Sequence, residues 1–225
     1  MPRPFVLIDR VDTPEGPLEL HQRSERDFMI RVGTRVLMST TFNRSELAVA
    51  ELGCAPIKGR AAPRVLIGGL GLGFTLRAAL DLLPASAHVE VAELNPAVKK
   101  WCEGPLAALT NSAALDKRVR VQLEDVTACV RRAAKAGVSE RFDAIVVDLY
   151  EGPKDLKRGQ PDPLYGSEIL KQTHAALSKG GVYAVWAEEP NRAFEERLTR
   201  AGFKAQFVRA RGGGPTHAVY VAQKA

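Results

Sequence analysis

Residues 65–75 of this 225-residue chain read VLIGGLGLGFT and carry the strongest indication of its fold. Its first part, Val65–Ile67, is a short apolar run of the kind that forms a buried strand. Helix-forming residues from Thr75 to Leu83 follow directly and predict a helix. The stretch is therefore expected to run from a buried strand through a glycine-rich turn into a helix.

The glycines of this turn have the spacing G-x-G-x-G. They do not fit the dinucleotide fingerprint G-x-G-x-x-G, because the sixth place counted from Gly69 is Phe74. Glycines let the backbone turn tightly and approach a ligand, and the following helix offers free N–H groups. The turn is therefore predicted to bind part of a nucleotide-like ligand, with the binding residues Gly69, Gly71 and Gly73.

Strands and helices continue to alternate after this turn. Further strands are predicted at Val89–Ala92, Val119–Leu123, Ala144–Val147 and Val182–Trp186. Helices are predicted at Ser45–Leu52, Pro96–Leu109, Thr127–Ala136, Ser167–Leu177 and Arg192–Ala201. This alternation predicts an α/β fold with one mostly parallel, doubly wound sheet.

The two ends of the chain follow another pattern. Lys204–Ala210 and His217–Ala222 are strand-like and are joined by a connection too short for a crossover helix, so they are predicted to be antiparallel. Four short β-rich runs between Phe5 and Ser39 predict a small antiparallel sheet, whose edge needs cover from the main domain or a second subunit. The expected domains are an N-terminal β region, 1–44, and a Rossmann-like domain, 45–225.

Acidic residues follow the later strands of the predicted parallel sheet. Ligands of such sheets bind at the carboxyl ends of the strands, near the change in strand order. Glu93 lies about where a ribose-binding acid belongs. Asp125 is a candidate acceptor for an adenine amino group, with Glu124 as the competing candidate, although Asp125 could instead cap the helix at Thr127. Asp148 follows the fourth strand of the alternating region. At that strand end a second substrate would meet the ligand bound at the glycine turn.

The bulk composition limits the classes of protein. The net charge of +6 and a pI near 9.4 favour polyanionic partners, but the basic residues are spread along the chain, so nucleic-acid binding is the weaker expectation. The three cysteines have no metal-ligand or disulfide spacing, and no metal site is predicted. No secretory or membrane-spanning stretch is evident, so a cytoplasmic protein without a membrane partner is expected.

At these residues the chain resembles the spermidine synthase family. The resemblance covers nearly the whole length and includes the β-rich start, Val65–Gly69, Glu93–Pro96, Glu124-Asp125 and Asp143–Asp148. It implies an N-terminal β region on a class I S-adenosylmethionine-dependent methyltransferase fold, and a subunit that forms dimers or larger oligomers. It also implies transfer of an aminopropyl group from decarboxylated S-adenosylmethionine to putrescine, with Asp148 as the catalytic aspartate.

The chain also departs from the family pattern. The aspartate and last glycine of the family's loop are replaced by Leu72 and Phe74, and the family's D-S-S-D stretch is Asp148-Leu149-Tyr150-Glu151. The resemblance places Glu151 as a longer substitute for the second aspartate, and Tyr150 beside it. Arg44 stands where the family has tyrosine and is expected to repel a diamine. These departures predict an altered acceptor pocket.

The sequence therefore favours a transferase of an alkyl group, aminopropyl or methyl, to a small, amine-like acceptor such as a polyamine. The co-substrate is expected to be S-adenosylmethionine or its decarboxylated form, and the protein is expected to be a homodimer. Two alternatives remain, an RNA or other nucleic-acid methyltransferase and a non-catalytic donor-binding protein. Against the former, the strand before Asp148 does not end in the Asn/Asp-Pro-Pro-Tyr type of stretch common in base-methylating enzymes.

Overall fold

The structure is a computed structural model that describes residues 3–41, 43–150, 152–154, 162–209 and 217–225. It contains the two sheets that the sequence predicts. The first is antiparallel and has the order β1-β2-β3-β4, with β1 at Val6–Thr13, β2 at Gly16–Ser24, β3 at Asp27–Val32 and β4 at Arg35–Ser39. All four strands coincide with the predicted runs to within a few residues.

The second sheet has seven strands in the order β10-β11-β9-β8-β5-β6-β7. Five neighbouring strands are parallel, and the last strand of the chain, β11, is antiparallel to both β9 and β10, between which it lies. The bounds are β5 at Arg64–Gly68, β6 at His88–Ala92, β7 at Val119–Gln122, β8 at Phe142–Val147, β9 at Leu177–Ala187, β10 at Phe203–Arg209 and β11 at Ala218–Lys224. The predicted α/β class with an antiparallel C-terminal hairpin is confirmed.

In the described part of the chain, six α-helices connect or flank these strands. They are α1 at Arg44–Cys54, α2 at Phe74–Leu82, α3 at Pro96–Glu103, α4 at Val126–Lys135, α5 at Ser167–Ala176 and α6 at Arg192–Arg200. Among the described residues, no helix is long and apolar enough to cross a membrane.

Two predicted boundaries were wrong. Helix α3 ends at Glu103 and not at Leu109, since Gly104 is followed by Pro105, which disfavours helical backbone at the residue before it. Strand β9 begins at Leu177, five residues before the prediction. Its pairing with β8 shifts register between Phe142 and Ala144, and this irregularity accommodates the polar, glycine-containing start of the strand.

The N-terminal sheet packs on the main domain. Its inward residues, among them Leu20, Phe28 and Ile30, belong to the same buried cluster as α1, α2 and one face of the main sheet. Burial of each such side chain contributes about 1.5–3 kcal/mol. On α3 the indole Nε1 of Trp101 also donates a hydrogen bond to the Asp9 carboxylate of β1, at 2.8 Å. The division into domains 1–44 and 45–225 stays a prediction, because both sheets share one core.

Candidate active site

The glycine loop lies where the strand order reverses. β5 is central, with β6 on one side and β8 on the other, so the loop after β5 faces the ends of both neighbours. Gly69 has φ +92°, and a Cβ on it would lie 2.4 Å from the carbonyl oxygen of Asp148. The Asp148 N–H in turn donates to the Gly68 carbonyl at 2.9 Å. The loop and the segment that carries Asp148 are therefore in direct backbone contact.

The other loop glycines also have left-handed backbone, with φ +52° at Gly71 and +83° at Gly73. A Cβ on Gly71 would meet the Met38 sulfur at 2.9 Å, and one on Gly73 would meet Thr110 at 3.2 Å. These glycines are thus needed for the turn and for close contact with protein neighbours. Gly73 occupies the N-cap of α2 without a side-chain cap, so the first N–H groups of α2 have no side-chain partner there.

Glu93 is held against the glycine loop. One carboxylate oxygen accepts from the Leu70 N–H at 3.0 Å and the other from the Asn95 N–H at 2.8 Å. Each carboxylate oxygen has a second lone pair, so two acceptor positions remain. The geometry fits the predicted ribose-binding role, which stays a prediction.

The acids after β7 have partners within the protein. Glu124 forms a bidentate pair with the Arg132 guanidinium at 2.8 and 2.9 Å, and these hydrogen bonds lower the pKa of Glu124. Asp125 caps α4 by accepting from the Thr127 N–H at 2.6 Å. The capping alternative for Asp125 is therefore observed, while an additional role of either acid at an adenine ring stays a prediction.

Two exposed leucines adjoin these acids and were missed at the sequence level. Leu94 is 71% exposed and follows Glu93, whereas Leu123 is 54% exposed and precedes Glu124. The backbone pairing of β6 with β7 continues to Glu93, whose N–H donates to the Gln122 carbonyl at 3.0 Å. The available signal was only their position beside the strand-end acids, because single exposed leucines are ordinary on a protein surface.

A cavity of about 390 Å³ lies on the other side of the loop, between β4, α1 and the ends of β8 and β9. One wall is apolar. It is formed by the β4 and glycine-loop residues Val36, Leu37, Met38, Leu70, Leu72 and Phe74. Of the predicted donor-binding residues, Gly71 lines this cavity together with Asp148 and Tyr150. The others are not among its lining residues, so the site has a catalytic half at this cavity and a donor half around Glu93, which meet at the glycine loop.

The polar end of this cavity contains Asp148. Its carboxylate accepts a hydrogen bond from the Thr75 hydroxyl, and Glu46 of α1 lies close enough to interact electrostatically. Burial and, after it, the charge of Glu46 raise the pKa of Asp148, the Thr75 hydrogen bond lowers it, and the net result is a pKa of about 7. Asp148 can therefore exchange a proton near neutral pH, as a general base must.

The segment after Asp148 is described only in part. Tyr150 lines the cavity, is 38% exposed, and has the Arg35 guanidinium over its ring at 4.4 Å. Glu151, the other predicted catalytic residue, and most of the following loop lie outside the described residues. Tyr150 is thus placed at the site, and the role of Glu151 stays a prediction.

Three lining residues come from the ends of β9 and β11. The rings of Trp186 and His217 have centroids 5.0 Å apart and planes tilted by 42°, and Glu188 is exposed at the end of β9. Trp186 packs against the hydrophobic core with one part of its side chain and lines the cavity with another. The signal was positional, because Glu188 closely follows a strand of the parallel sheet, as the other candidate acids do.

The expected repulsion of a diamine by Arg44 stays a prediction, and the position of Arg44 does not favour it. Arg44 is exposed and does not line the cavity, whereas the next two residues, Ser45 and Glu46, do. Consecutive residues of a helix point about 100° apart, so α1 directs Glu46 inward and Arg44 elsewhere. Within the described part of the chain, no lysine or arginine lines the cavity, and no cluster of residues suits a metal ion.

The fold is shared with solved enzymes. A spermidine synthase in complex with the transition-state analogue AdoDATO has a TM-score of 0.71 at 16% identity, over 97% of this chain and 72% of that one. The spermidine synthase of Thermotoga maritima has a TM-score of 0.71 at 17% identity, over 97% of this chain and 73% of its own. No protein-family model and no curated protein matches the sequence. The chain therefore has a spermidine-synthase-like fold, and identities this low show the fold alone.

Proposed function

We propose that the protein is a transferase that moves an alkyl group from an adenosyl sulfonium donor to a small amine. The observation that carries the proposal is Asp148, which lines an acidic cavity in contact with the glycine loop and titrates near neutral pH. A carboxylate that can accept a proton at that place suits an amine nucleophile, which must be neutral to attack.

The donor is assigned to the half of the site around Glu93. The free N–H groups of α2 and the two open acceptor positions of Glu93 suit the polar ribose side of an adenosyl group. Leu94 and Leu123 supply apolar surface of the kind that covers the faces of a purine. The amino group of that purine is assigned to Asp125 or Glu124.

The charge of the cavity favours the decarboxylated donor and hence aminopropyl transfer. Glu46, Asp148 and Glu188 line the cavity, and among the described residues no lysine or arginine is there to pair with a carboxylate. S-adenosylmethionine would bring its carboxylate toward these acids, which costs free energy, whereas its decarboxylated form brings an ammonium group. AdoDATO, bound to the spermidine synthase of similar fold, is the matching probe.

The reaction is an in-line displacement. The neutral amine nitrogen donates its lone pair to the carbon attached to the sulfonium, a C–N bond forms, and the C–S bond breaks with its electron pair left on a neutral thioether sulfur. Asp148 takes the proton that the nitrogen loses. Bringing an amine of pKa about 10.4 to its neutral form at pH 7.4 costs roughly 4 kcal/mol, so a base beside it lowers the barrier.

Calorimetric titration with both donors, together with a turnover assay with small amines that include putrescine, tests the proposal. We expect the decarboxylated donor to bind at least tenfold more tightly and to be consumed when an amine is added. Binding of neither donor overturns the proposal. Binding without turnover of any amine would identify the alternative, a non-catalytic donor-binding protein.

Nucleic-acid methylation is the weaker candidate. The net charge of +6 favours a polyanion, but the acids around Asp148 would repel phosphates next to the reacting atoms. RNA binding that weakens steeply with added salt, together with a preference for S-adenosylmethionine, would support it. Localisation in the cytoplasm and assembly as a homodimer stay part of the proposal and are tested by fractionation and by light scattering.

A further inference from the structure

The surroundings of Asp148 oppose its negative charge, although a carboxylate must be charged to accept a proton. Burial removes part of its hydration, and Glu46 of α1 places a second negative charge near it. Both effects favour the protonated form, which cannot act as a base. Asp148 can therefore serve as a base near neutral pH only if another group favours its charged form.

Thr75 is the side chain that does so. Among the described residues, it alone donates a side-chain hydrogen bond to the Asp148 carboxylate, and this bond goes to Oδ2. Hydrogen bonds to a charged oxygen are stronger than those to a neutral one, so the contact favours the ionised form. The other oxygen, Oδ1, has no hydrogen-bond partner in the described part of the chain and is left for an incoming proton.

The place of Thr75 in the fold makes its hydroxyl hard to replace. Thr75 is the second residue of α2 and is only 3% exposed, so water cannot easily take over its role. Its Oγ1 also lies 3.4 Å from the backbone carbonyl oxygen of Glu46. When Asp148 becomes neutral, the hydroxyl can donate to this carbonyl, so it is not left unpaired after the proton arrives.

We propose that Thr75 is a positioning residue for the transfer, because its hydroxyl holds Oδ2 of Asp148 and keeps the carboxylate charged while Oδ1 takes the proton of the amine. This inference rests on the proposed function and adds a residue that acts through Asp148. In the proton transfer, the N–H bond breaks with its electron pair left on nitrogen, and an O–H bond forms at Oδ1.

Thr75→Val and Thr75→Ser test the inference, because valine keeps the shape and serine keeps the hydroxyl. We measure kcat/KM with the decarboxylated donor and the most active of the small amines, as a ratio to the unaltered protein at each pH. For Thr75→Val we expect a loss of about tenfold at pH 7, equivalent to about one pH unit in the titration of Asp148. This loss should narrow at least threefold by pH 9, where more of Asp148 is ionised in both proteins. Thr75→Ser should stay within about threefold of the unaltered protein throughout.

Urea unfolding tests the contact without donor or amine. The pKa of Asp148 is raised in the folded protein, so stability falls as pH rises from the ordinary value toward the folded one. Because the Thr75 bond lowers that pKa, Thr75→Val should extend the fall in stability to higher pH, and Thr75→Ser should not. Thr173→Val is the control, since Thr173 is 2% exposed and donates to the Ile169 carbonyl at 2.8 Å but does not line the cavity.

The other titratable residues that line the cavity are the same in all these proteins, so a change in pH dependence is attributable to Thr75. Among the described residues they are Glu46, Tyr150, Glu188 and His217. Thermal unfolding verifies that the variants are folded, and Thr75→Ala replaces Thr75→Val if valine prevents folding.

Two results overturn the inference. One is unchanged kcat/KM in Thr75→Val at pH 7, or a loss of the same size at every pH, which would indicate a merely structural role. The other is a stability profile of Thr75→Val that coincides with that of Thr173→Val. Failure of the proposed function has a different result, namely no binding of either adenosyl donor to the unaltered protein, and it leaves the unfolding measurement interpretable.

Discussion

Acids follow the strands on both sides of β5, but their surroundings make them chemically different. Toward β6 and β7, Glu93 and Asp125 accept backbone hydrogen bonds, and Glu124 is paired with Arg132, which lowers its pKa. Toward β8, Asp148 is partly buried near Glu46, and its pKa is raised to about 7. An acid at a strand end can therefore serve as a binding group or as a proton acceptor. Its hydrogen-bond partners, its burial and the charges beside it determine which.

The largest effect is expected from Asp148→Asn, which should impair turnover much more than donor binding. Asp148→Asn keeps the size of the side chain and its hydrogen bond from Thr75 but cannot take a proton, so turnover is expected to fall by about 10²–10⁴-fold. Donor affinity, measured by calorimetry, should fall far less than turnover, because the adenosyl half of the site around Glu93 is untouched. Asp81→Asn, which alters an acid that is 65% exposed, is the control. Unchanged turnover in Asp148→Asn would remove this residue from the mechanism.

The raised pKa of Asp148 predicts a pH dependence of stability. Between its ordinary pKa of 3.8 and the folded value of about 7, the folded protein keeps a proton that the unfolded chain releases. Stability therefore falls as pH rises through this window and is constant above it, with a total loss of about 4 kcal/mol at most. Urea unfolding from pH 4.5 to 8 should show this slope in the unaltered protein.

Two variants test whether Asp148 causes this dependence of stability on pH. Asp148→Asn should lose the slope, and Glu46→Gln should shift the window to lower pH because it removes the charge that helps to raise the pKa of Asp148. The same shift is expected in the pH dependence of kcat/KM. Parallel slopes in all three proteins would show that Asp148 does not titrate as inferred.

The contact between the two halves is tested at Gly69. Gly33 is a matched control, since it also has left-handed backbone, at φ +56°, but has nothing within 4 Å of an added Cβ. Gly33→Ala is expected to cost about 1–2 kcal/mol of unfolding free energy. Gly69→Ala should cost roughly 2 kcal/mol more, because its Cβ would collide with the Asp148 carbonyl. Equal costs would contradict the close approach of the two loops.

Glu93→Gln tests the donor half. Glutamine keeps the shape but removes the charge, and we expect donor affinity to fall about tenfold, because hydrogen bonds to a charged group are the stronger ones. Turnover at saturating donor should fall far less, in contrast to Asp148→Asn. A donor affinity that does not change would exclude Glu93 from the ribose site.

The smallest effects are expected at Asp125, where two roles compete. Asp125→Ser keeps an N-cap for α4 and should change stability by only a few tenths of a kcal/mol, whereas Asp125→Ala should cost about 1 kcal/mol. If Asp125 also binds an adenine amino group, both variants lose donor affinity severalfold. Loss of stability in Asp125→Ala without loss of affinity in either variant would leave capping as its role.

Much of the fold was predictable from the sequence. The alternation of apolar runs and helical segments after Val65 predicted the parallel strands, and the short connection after Arg209 predicted the antiparallel hairpin. These features are local, since they depend on periodicity and on the length of connections. The exceptions, at Gly104-Pro105 and at the start of β9, arise where a helix-ending proline or a register shift overrides the local pattern.

Which strand ends carry acids was also predictable, because the order of residues fixes the side chains that come after each strand. Which acid titrates near neutrality was not predictable, nor was the placement of Trp186 and Glu188 in the cavity lining or of Arg44 outside it. Burial, electrostatic coupling and the direction of a side chain depend on segments that are distant in sequence and meet only in the folded chain. Besides burial, the pKa of Asp148 depends on Glu46 and Thr75, which lie 102 and 73 residues earlier in the chain.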